Sequence, residues 1–94
     1  MAIKTVDYGD LMTAIVKKQI SIIGSERAIL FARKVPRISV SDDGTVTGGS
    51  SKDGLSILCQ QYMSVASGVA KMLMKSAIAP LMAGCKLDLP DELR

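Results

Sequence analysis

The chain of 94 residues contains no histidine and no tryptophan, and only 3% of its residues are aromatic. Histidine is the usual general base near neutral pH and the commonest metal ligand, so its absence excludes serine and cysteine triads of the ordinary kind. The only aromatic rings belong to Tyr8, Phe31 and Tyr62. A hydrophobic core must therefore be built from Ile, Leu, Val, Met and Ala.

The chain also has only two cysteines and a small net charge of +3. Cys59 and Cys85 belong to no paired motif, which fits reduced thiols better than a zinc site or a disulfide framework. The opening segment MAIKTVDYGD lacks the apolar run of a signal peptide, and the longest uncharged stretch, 54–70, is too polar and too short to cross a membrane. We therefore expect a cytoplasmic protein with no cofactor and no membrane association.

The length of the chain predicts a single domain, 1–94. Two helices are predicted in its first third. Asp7 is suited to cap the first helix, and apolar residues then recur at spacings of three and four as far as Gly24, a typical C-terminal cap. Ser25 would cap a second helix. Residues 28–31 equally suit a strand, but the cap and the order of charges favour a helix over 26–35.

The segment PRISVSDDGTVTGG gives the clearest β signal in the chain. A three-residue turn at 42–44, with Gly44 at the bulge, pairs Val40 with Val46 and keeps Ile38 on the same face, whereas a two-residue turn would divide the apolar side chains between two faces. A lone hairpin is only marginally stable in water. Its apolar face must therefore pack on a helix or on another hairpin.

A long helix is predicted to begin between Ser51 and Gly54 and to run at least to Ala79. Its polar residues form one narrow stripe, and the apolar arc that remains is about twice the ~100° that a surface helix needs. The chain's own elements are expected to cover one apolar seam, and a second copy the other, through an isologous contact. The predicted interface residues are Leu58, Tyr62, Val65, Ala66, Val69, Ala70, Leu73 and Ala77.

Together these segments predict an α+β fold of order α-α-β-β-α, with one β-hairpin packed on a long C-terminal helix, in a homo-oligomer. Other candidate sites have structural explanations. Asp42 and Asp43 suit a hairpin turn, Cys59 suits the core of the long helix, and the segment TGGSSKDG at 47–54 lacks the spacing of a phosphate-binding loop.

The sequence thus predicts a small protein that is not an enzyme and that acts by self-association, as a dimer or higher oligomer, and by binding another protein as an adaptor or regulatory subunit. Two alternatives stay open. A module that senses an apolar small molecule would hold it among the methionines. A sequence-independent nucleic-acid-binding protein would use a basic patch, for which the candidate phosphate-binding residues are Lys17, Lys18, Arg33, Lys34 and Arg37.

Overall fold

Five elements follow one another in the computed structural model, which describes residues 7–48, 51–82, 89 and 93, and of residues 65–68 only the backbone. They are helices α1 (Tyr8–Ile23) and α2 (Ser25–Ala32), strands β1 (Ile38–Val40) and β2 (Val46–Gly48), and helix α3 (Lys52–Met82). The prediction of a small α+β domain with an antiparallel hairpin is confirmed, and residues 25–32 are helix rather than strand.

Helix α1 begins with a reciprocal cap. The Asp7 carboxylate accepts the backbone N–H of Asp10 at 2.9 Å, and the Asp10 carboxylate accepts the backbone N–H of Asp7 at 3.1 Å. Two N–H groups that have no partner inside the helix are satisfied in this way. At the other end Gly24, with φ +93°, both ends α1 and precedes α2. Ser25 is the first residue of α2, which corrects its predicted role as an N-cap, because Gly24 occupies that position.

The hairpin has the predicted register. Val40 lies opposite Val46, and Ile38 lies opposite Gly48. Gly44 has φ +92°, a conformation that glycine adopts at little cost. The Ser41 N–H donates to the carbonyl of Thr45 at 3.0 Å, which closes the three-residue turn.

The position of the hairpin differs from the prediction, because it packs mainly on α1 and not on α3. The backbone N–H of Val46 donates to the Thr13 hydroxyl at 2.9 Å. At the turn the backbone lies so close to α1 that a Cβ on Gly44 would be 2.8 Å from Ile20 Cδ1. The absence of a side chain at Gly44 is therefore what allows the hairpin to reach α1.

Helix α3 supplies the centre of the core. It begins where the Ser51 hydroxyl accepts the N–H of Gly54 at 3.0 Å, and it continues through Pro80. Cys59 is a buried cysteine outside any disulfide, as predicted, while Cys85 lies outside the described residues. Among the side chains of α3 that the structure describes, the buried ones are those of Leu55, Leu58, Cys59, Tyr62, Ala70, Met74 and Ile78.

The buried side of α3 changes along its length. Leu58 and Tyr62 are buried, but Val69 and Met72, which continue the same seam at spacings of three and four, are 61% and 73% exposed. In the second half of the helix it is residues such as Met74 that are buried instead. One seam of α3 is therefore covered in its first half and open in its second.

The chain covers most of the apolar surface of α3 by itself. Its accessible surface is 5533 Å², close to the roughly 5,200 Å² expected for a folded monomer of this mass. The radius of gyration is 12.2 Å, against about 12.4 Å for a compact domain of this length. Leu93 is buried and Leu89 packs on the core. The accessible surface and the radius of gyration are both close to those expected for a compact single chain of this size.

Gln19 on α1 is the one polar side chain in the core of the described region, 3% exposed, and its Nε2 has no acceptor within that region. A buried donor without a partner costs about 1–3 kcal/mol.

Gln19→Met preserves the length of the side chain and removes the amide, so we expect the free energy of unfolding in urea to rise by about 1–2 kcal/mol. The control Gln60→Met, at an exposed position, should change it little, and a loss of stability in Gln19→Met would contradict this reading.

Because the hairpin packs closely on α1, we expect substitutions at Gly44 and Ile20 to be energetically coupled. Gly44→Ala must adopt a positive φ, which costs about 1–2 kcal/mol, and its Cβ must also displace Ile20 Cδ1, for a total of about 2–4 kcal/mol. Ile20→Val deletes that methyl group. In the Ile20→Val background Gly44→Ala should therefore cost about 1 kcal/mol less, measured by urea denaturation of the four proteins of the double-mutant cycle. Strict additivity would show that the two residues do not meet.

Candidate interaction surfaces

Part of the predicted interface lies inside the chain's own core. Leu58, Tyr62 and Ala70 are 0%, 1% and 3% exposed, so these three side chains present no surface to a partner. The sequence shows that α3 has two apolar seams, but it does not show which half of each seam the short helices cover. For these residues, the chain itself does the covering that the prediction assigned to a second copy.

The other predicted interface residues differ in exposure. Val69 is exposed, and Leu73 and Ala77 are half-buried, while the side chains of Val65 and Ala66 lie outside the described residues. The surface that these positions leave is narrower than the predicted interface and is confined to the second half of α3. Whether a second copy binds there stays a prediction.

Tyr62 joins α3 to α2. Its hydroxyl donates to the backbone carbonyl of Ala28 at 2.6 Å, and its ring meets that of Phe31 edge to face, with the centroids 6.2 Å apart. Burial raises the pKa of the Tyr62 phenol above its ordinary value, because an ionised phenolate would lose the solvation that water provides. Tyr62 therefore stabilises the fold as a neutral hydrogen-bond donor.

An exposed ridge remains on α3, which we call the outer face and define by Val69, Met72, Ser76 and Ala79. All four are exposed, and their spacings of three and four place them on one side of the helix. Met72 belongs to this ridge although the predicted interface set does not include it. Its spacing of three from Val69 is the signal that identifies it.

The charges of α3 are of one sign over most of its length. Between Gly54 and Met82 the sequence has no acidic residue, and its only charged residues are Lys71 and Lys75. Lys75 is exposed and Lys71 half-buried, and the described part of the chain contains no ion pair to either ammonium group. Met72 and Lys75 are neighbours on the helix surface, so the outer face is bordered on one flank by positive charge.

The residues of the predicted phosphate-binding patch are not gathered into one bare cationic surface. Arg33 Nε and Nη2 donate to the carbonyl of Val40 at 3.2 and 3.1 Å, and Nη2 also contacts the Asp42 carboxylate at 3.2 Å. Lys34 Nζ lies 5.1 Å from the centre of the Phe31 ring. Sequence alone does not show the partners of Arg33, because Val40 and Asp42 belong to the hairpin and not to α2.

The remaining members of the patch are two residues of α1, Lys17 and Lys18, and Arg37 in the turn before β1. Lys17 lies beside the hairpin tip, where it helps to lower the pKa of Asp43. Lys18 is half-buried on α1, and Arg37 is an exposed turn residue with φ +70°. A phosphate group would therefore meet carboxylates at the tip as well as cations.

The carboxylate of Asp43 belongs to the hairpin turn. It accepts the Ser41 hydroxyl at 2.6 Å and the backbone N–H of Thr45 at 2.9 Å. These two hydrogen bonds lower the pKa of Asp43 to about 2, with the charge of Lys17 a smaller cause. Hydrogen bonds to the ionised form have this effect, so the acidity of Asp43 comes from turn geometry.

Two side chains close the edges of the hairpin. In an antiparallel ladder, backbone groups point alternately toward and away from the neighbouring strand, and the opposed residues Val40 and Val46 point theirs away. Arg33 donates to the carbonyl of Val40 on one edge, and Thr13 accepts the N–H of Val46 on the other. Arg33, predicted to bind phosphate, therefore has a structural role at a strand edge.

An open groove of about 540 Å³ lies between α2 and the hairpin tip. Its walls carry both signs of charge, and Leu30, 59% exposed, provides an apolar element. The mixture of charges gives no preference for an anion or a cation. The lining residues are Ser25, Glu26, Arg27, Ile29, Leu30, Arg33 and Asp42.

Within the described residues, no three side chains of His, Cys, Asp or Glu are grouped closely enough to bind a metal ion. In the same part of the chain, no helix combines the length and the apolar character needed to cross a bilayer. Comparisons with protein-family models, with curated proteins and with solved structures found no match to this chain. The surfaces described above are therefore the basis for inferring a function.

The buried phenol of Tyr62 predicts a loss of stability in alkali. Its folded pKa lies above the unfolded value near 10, so above roughly pH 10 the unfolded state releases a proton that the folded state retains, and stability falls as pH rises. Tyr62→Phe should remove this contribution to the pH dependence of the free energy of unfolding. Near neutral pH it should lower that free energy by about 1–2 kcal/mol, because the Ala28 carbonyl loses its donor.

The measurement is urea denaturation of both proteins at roughly pH 8 and roughly pH 11, where the stability difference between them should shrink as the pH rises. An equal difference at both pH values would show that the Tyr62 hydroxyl ionises as readily in the folded chain as in the unfolded one.

Proposed function

We propose that this chain is a cytoplasmic, non-enzymatic protein that acts by association, with a second copy of itself and with another protein, as a small adaptor or regulatory subunit. The contact is made through the outer face of α3. The observation that carries the proposal is the exposure of Val69 and Met72, 61% and 73%, on a helix that also supplies buried core residues such as Leu58 and Met74.

A single exposed apolar side chain is ordinary in a monomeric protein. Val69 and Met72 differ because they are adjacent on one ridge and continue a seam that is buried in the first half of the same helix. The cost of leaving such a ridge in water is removed when a partner covers it. This continuity between core and surface supports an interaction site here more than it does at the isolated Leu30 or Ile22.

The size of the outer face indicates a reversible association. Two exposed side chains supply far less than the ~800 Å² that each partner buries in a standard interface. The outer face would therefore be the apolar centre of a contact whose rim comes from neighbouring polar groups. Because the accessible surface of one chain is already typical of a monomer, the free chain would be folded before it associates.

The groups that most often carry chemistry have structural partners in the described part of this chain. Asp43 is bonded within its turn, Arg33 closes a strand edge, and the Tyr62 hydroxyl bonds to Ala28. This pattern supports a binding protein over an enzyme. It also gives less support to the nucleic-acid alternative, because Arg33 is engaged. The sensor alternative has little support as well, since no methionine lines the groove at α2.

Sedimentation velocity over a range of roughly 1–300 μM tests the proposal, since weak interfaces associate in this range. We expect the weight-average sedimentation coefficient of the wild type to rise with concentration. Val69→Asp/Met72→Asp should remain monomeric with an unchanged circular dichroism spectrum and melting temperature, because both side chains are exposed in the single chain.

Leu30→Asp is the matched control, since Leu30 is 59% exposed on a different helix, and it should associate like the wild type. A wild type that stays monomeric throughout would contradict self-association. Equal association of the wild type and the double variant would show that the contact lies elsewhere.

A further inference from the structure

We propose that the outer face of α3 binds an amphipathic helix of another protein, one whose apolar side chains are bordered by carboxylates. This inference rests on the proposed function and names the chemistry of the partner. Two features of α3 carry it: the apolar ridge at Val69 and Met72, and the positive charge that borders this ridge.

The charge that borders the outer face is of one sign, whereas cations near the hairpin tip lie close to carboxylates. Arg33 pairs with Asp42, and Lys17 lies near Asp43. Lys71 and Lys75, in contrast, have no carboxylate partner in the described part of the chain, and no acidic residue occurs from Gly54 to Met82. A partner with carboxylates beside its apolar residues would complement this margin, which improves both the rate and the specificity of binding.

The shape of the outer face suits a helix. Its residues recur at spacings of three and four along a regular helix, which forms a ridge that packs into the groove between two rows of side chains on another helix. Ser76 and Ala79 are small, so a second helix can approach closely in the last part of the ridge. Amphipathic helices that bind in this manner place apolar anchors at i, i+3 or i+4, and i+7.

A second copy of this chain complements the outer face less well than an acidic helix. Its α3 would bring another Lys71 and Lys75 and, over residues 54–82, no carboxylate to oppose them. Like charges brought together at an interface oppose association. Self-association through this face is therefore the weaker mode, and an acidic helix should compete with it.

The probe is a synthetic helical peptide of about 21 residues with leucine at i, i+3, i+4 and i+7 and glutamate on both flanks, titrated by fluorescence anisotropy. A peptide with lysine in place of each glutamate is the control probe. The wild type should bind the acidic peptide and not the basic one, with an affinity that decreases as salt is added, because screening weakens exposed charge pairs.

Three variants distinguish the causes of binding. Lys71→Glu/Lys75→Glu should weaken binding of the acidic peptide at least tenfold and gain binding of the basic peptide. Lys18→Glu/Arg27→Glu makes the same change in net charge on α1 and α2, and should stay within about threefold of the wild type. Val69→Asp/Met72→Asp should abolish binding of the acidic peptide.

The possible failures are separable. Unchanged affinity in Lys71→Glu/Lys75→Glu, together with loss in Val69→Asp/Met72→Asp, would overturn the acidic partner and leave association through the outer face intact. Unchanged affinity in Val69→Asp/Met72→Asp would overturn both proposals. Binding to vesicles of phosphatidylglycerol and phosphatidylcholine, lost in the same variants, with no binding of the acidic peptide, would assign the face to an anionic membrane surface instead. No binding of the wild type to either peptide or to vesicles would also overturn the inference.

Discussion

The hydrogen bond from the Tyr62 hydroxyl to the Ala28 carbonyl determines how α3 faces the rest of the chain. It is buried and directional, and it occurs in the first half of a 31-residue helix, so it fixes the rotation of that helix about its axis. With Tyr62 pointing inward, the helical repeat requires Leu58 to point inward as well and brings Val69 to the same side further along. Val69, in the second half of the helix, is nevertheless 61% exposed.

The features that depend on residues within one element were predictable from the sequence. The register of the hairpin follows from the alternation of Ile38 and Val40 and from one glycine in the turn. The start of α1 follows from Asp7, and the start of α3 from Ser51. These features depend on residues no more than a few positions apart, and so the spacing of residue types is enough to define them.

What depends on contact between distant elements was not predictable. The sequence requires the hairpin to pack on an apolar surface, and both α1 and α3 have one. Packing on α1 depends on how closely Gly44 can approach Ile20. The partner of Arg33 is a backbone carbonyl in a later strand, which no charge pattern identifies. Hydrophobic periodicity gives the width of an apolar arc on a helix, and the three-dimensional packing decides which part of that arc is covered.

The close approach of Gly44 to α1 also restricts how this sequence can change over evolutionary time. Any other residue at this turn must adopt a positive φ and find room where Ile20 now lies. A smaller side chain at Ile20 relieves the second demand but leaves a gap while the glycine remains. Each single step is therefore unfavourable in the presence of the other residue, and we expect Gly44 and Ile20 to diverge together or not at all.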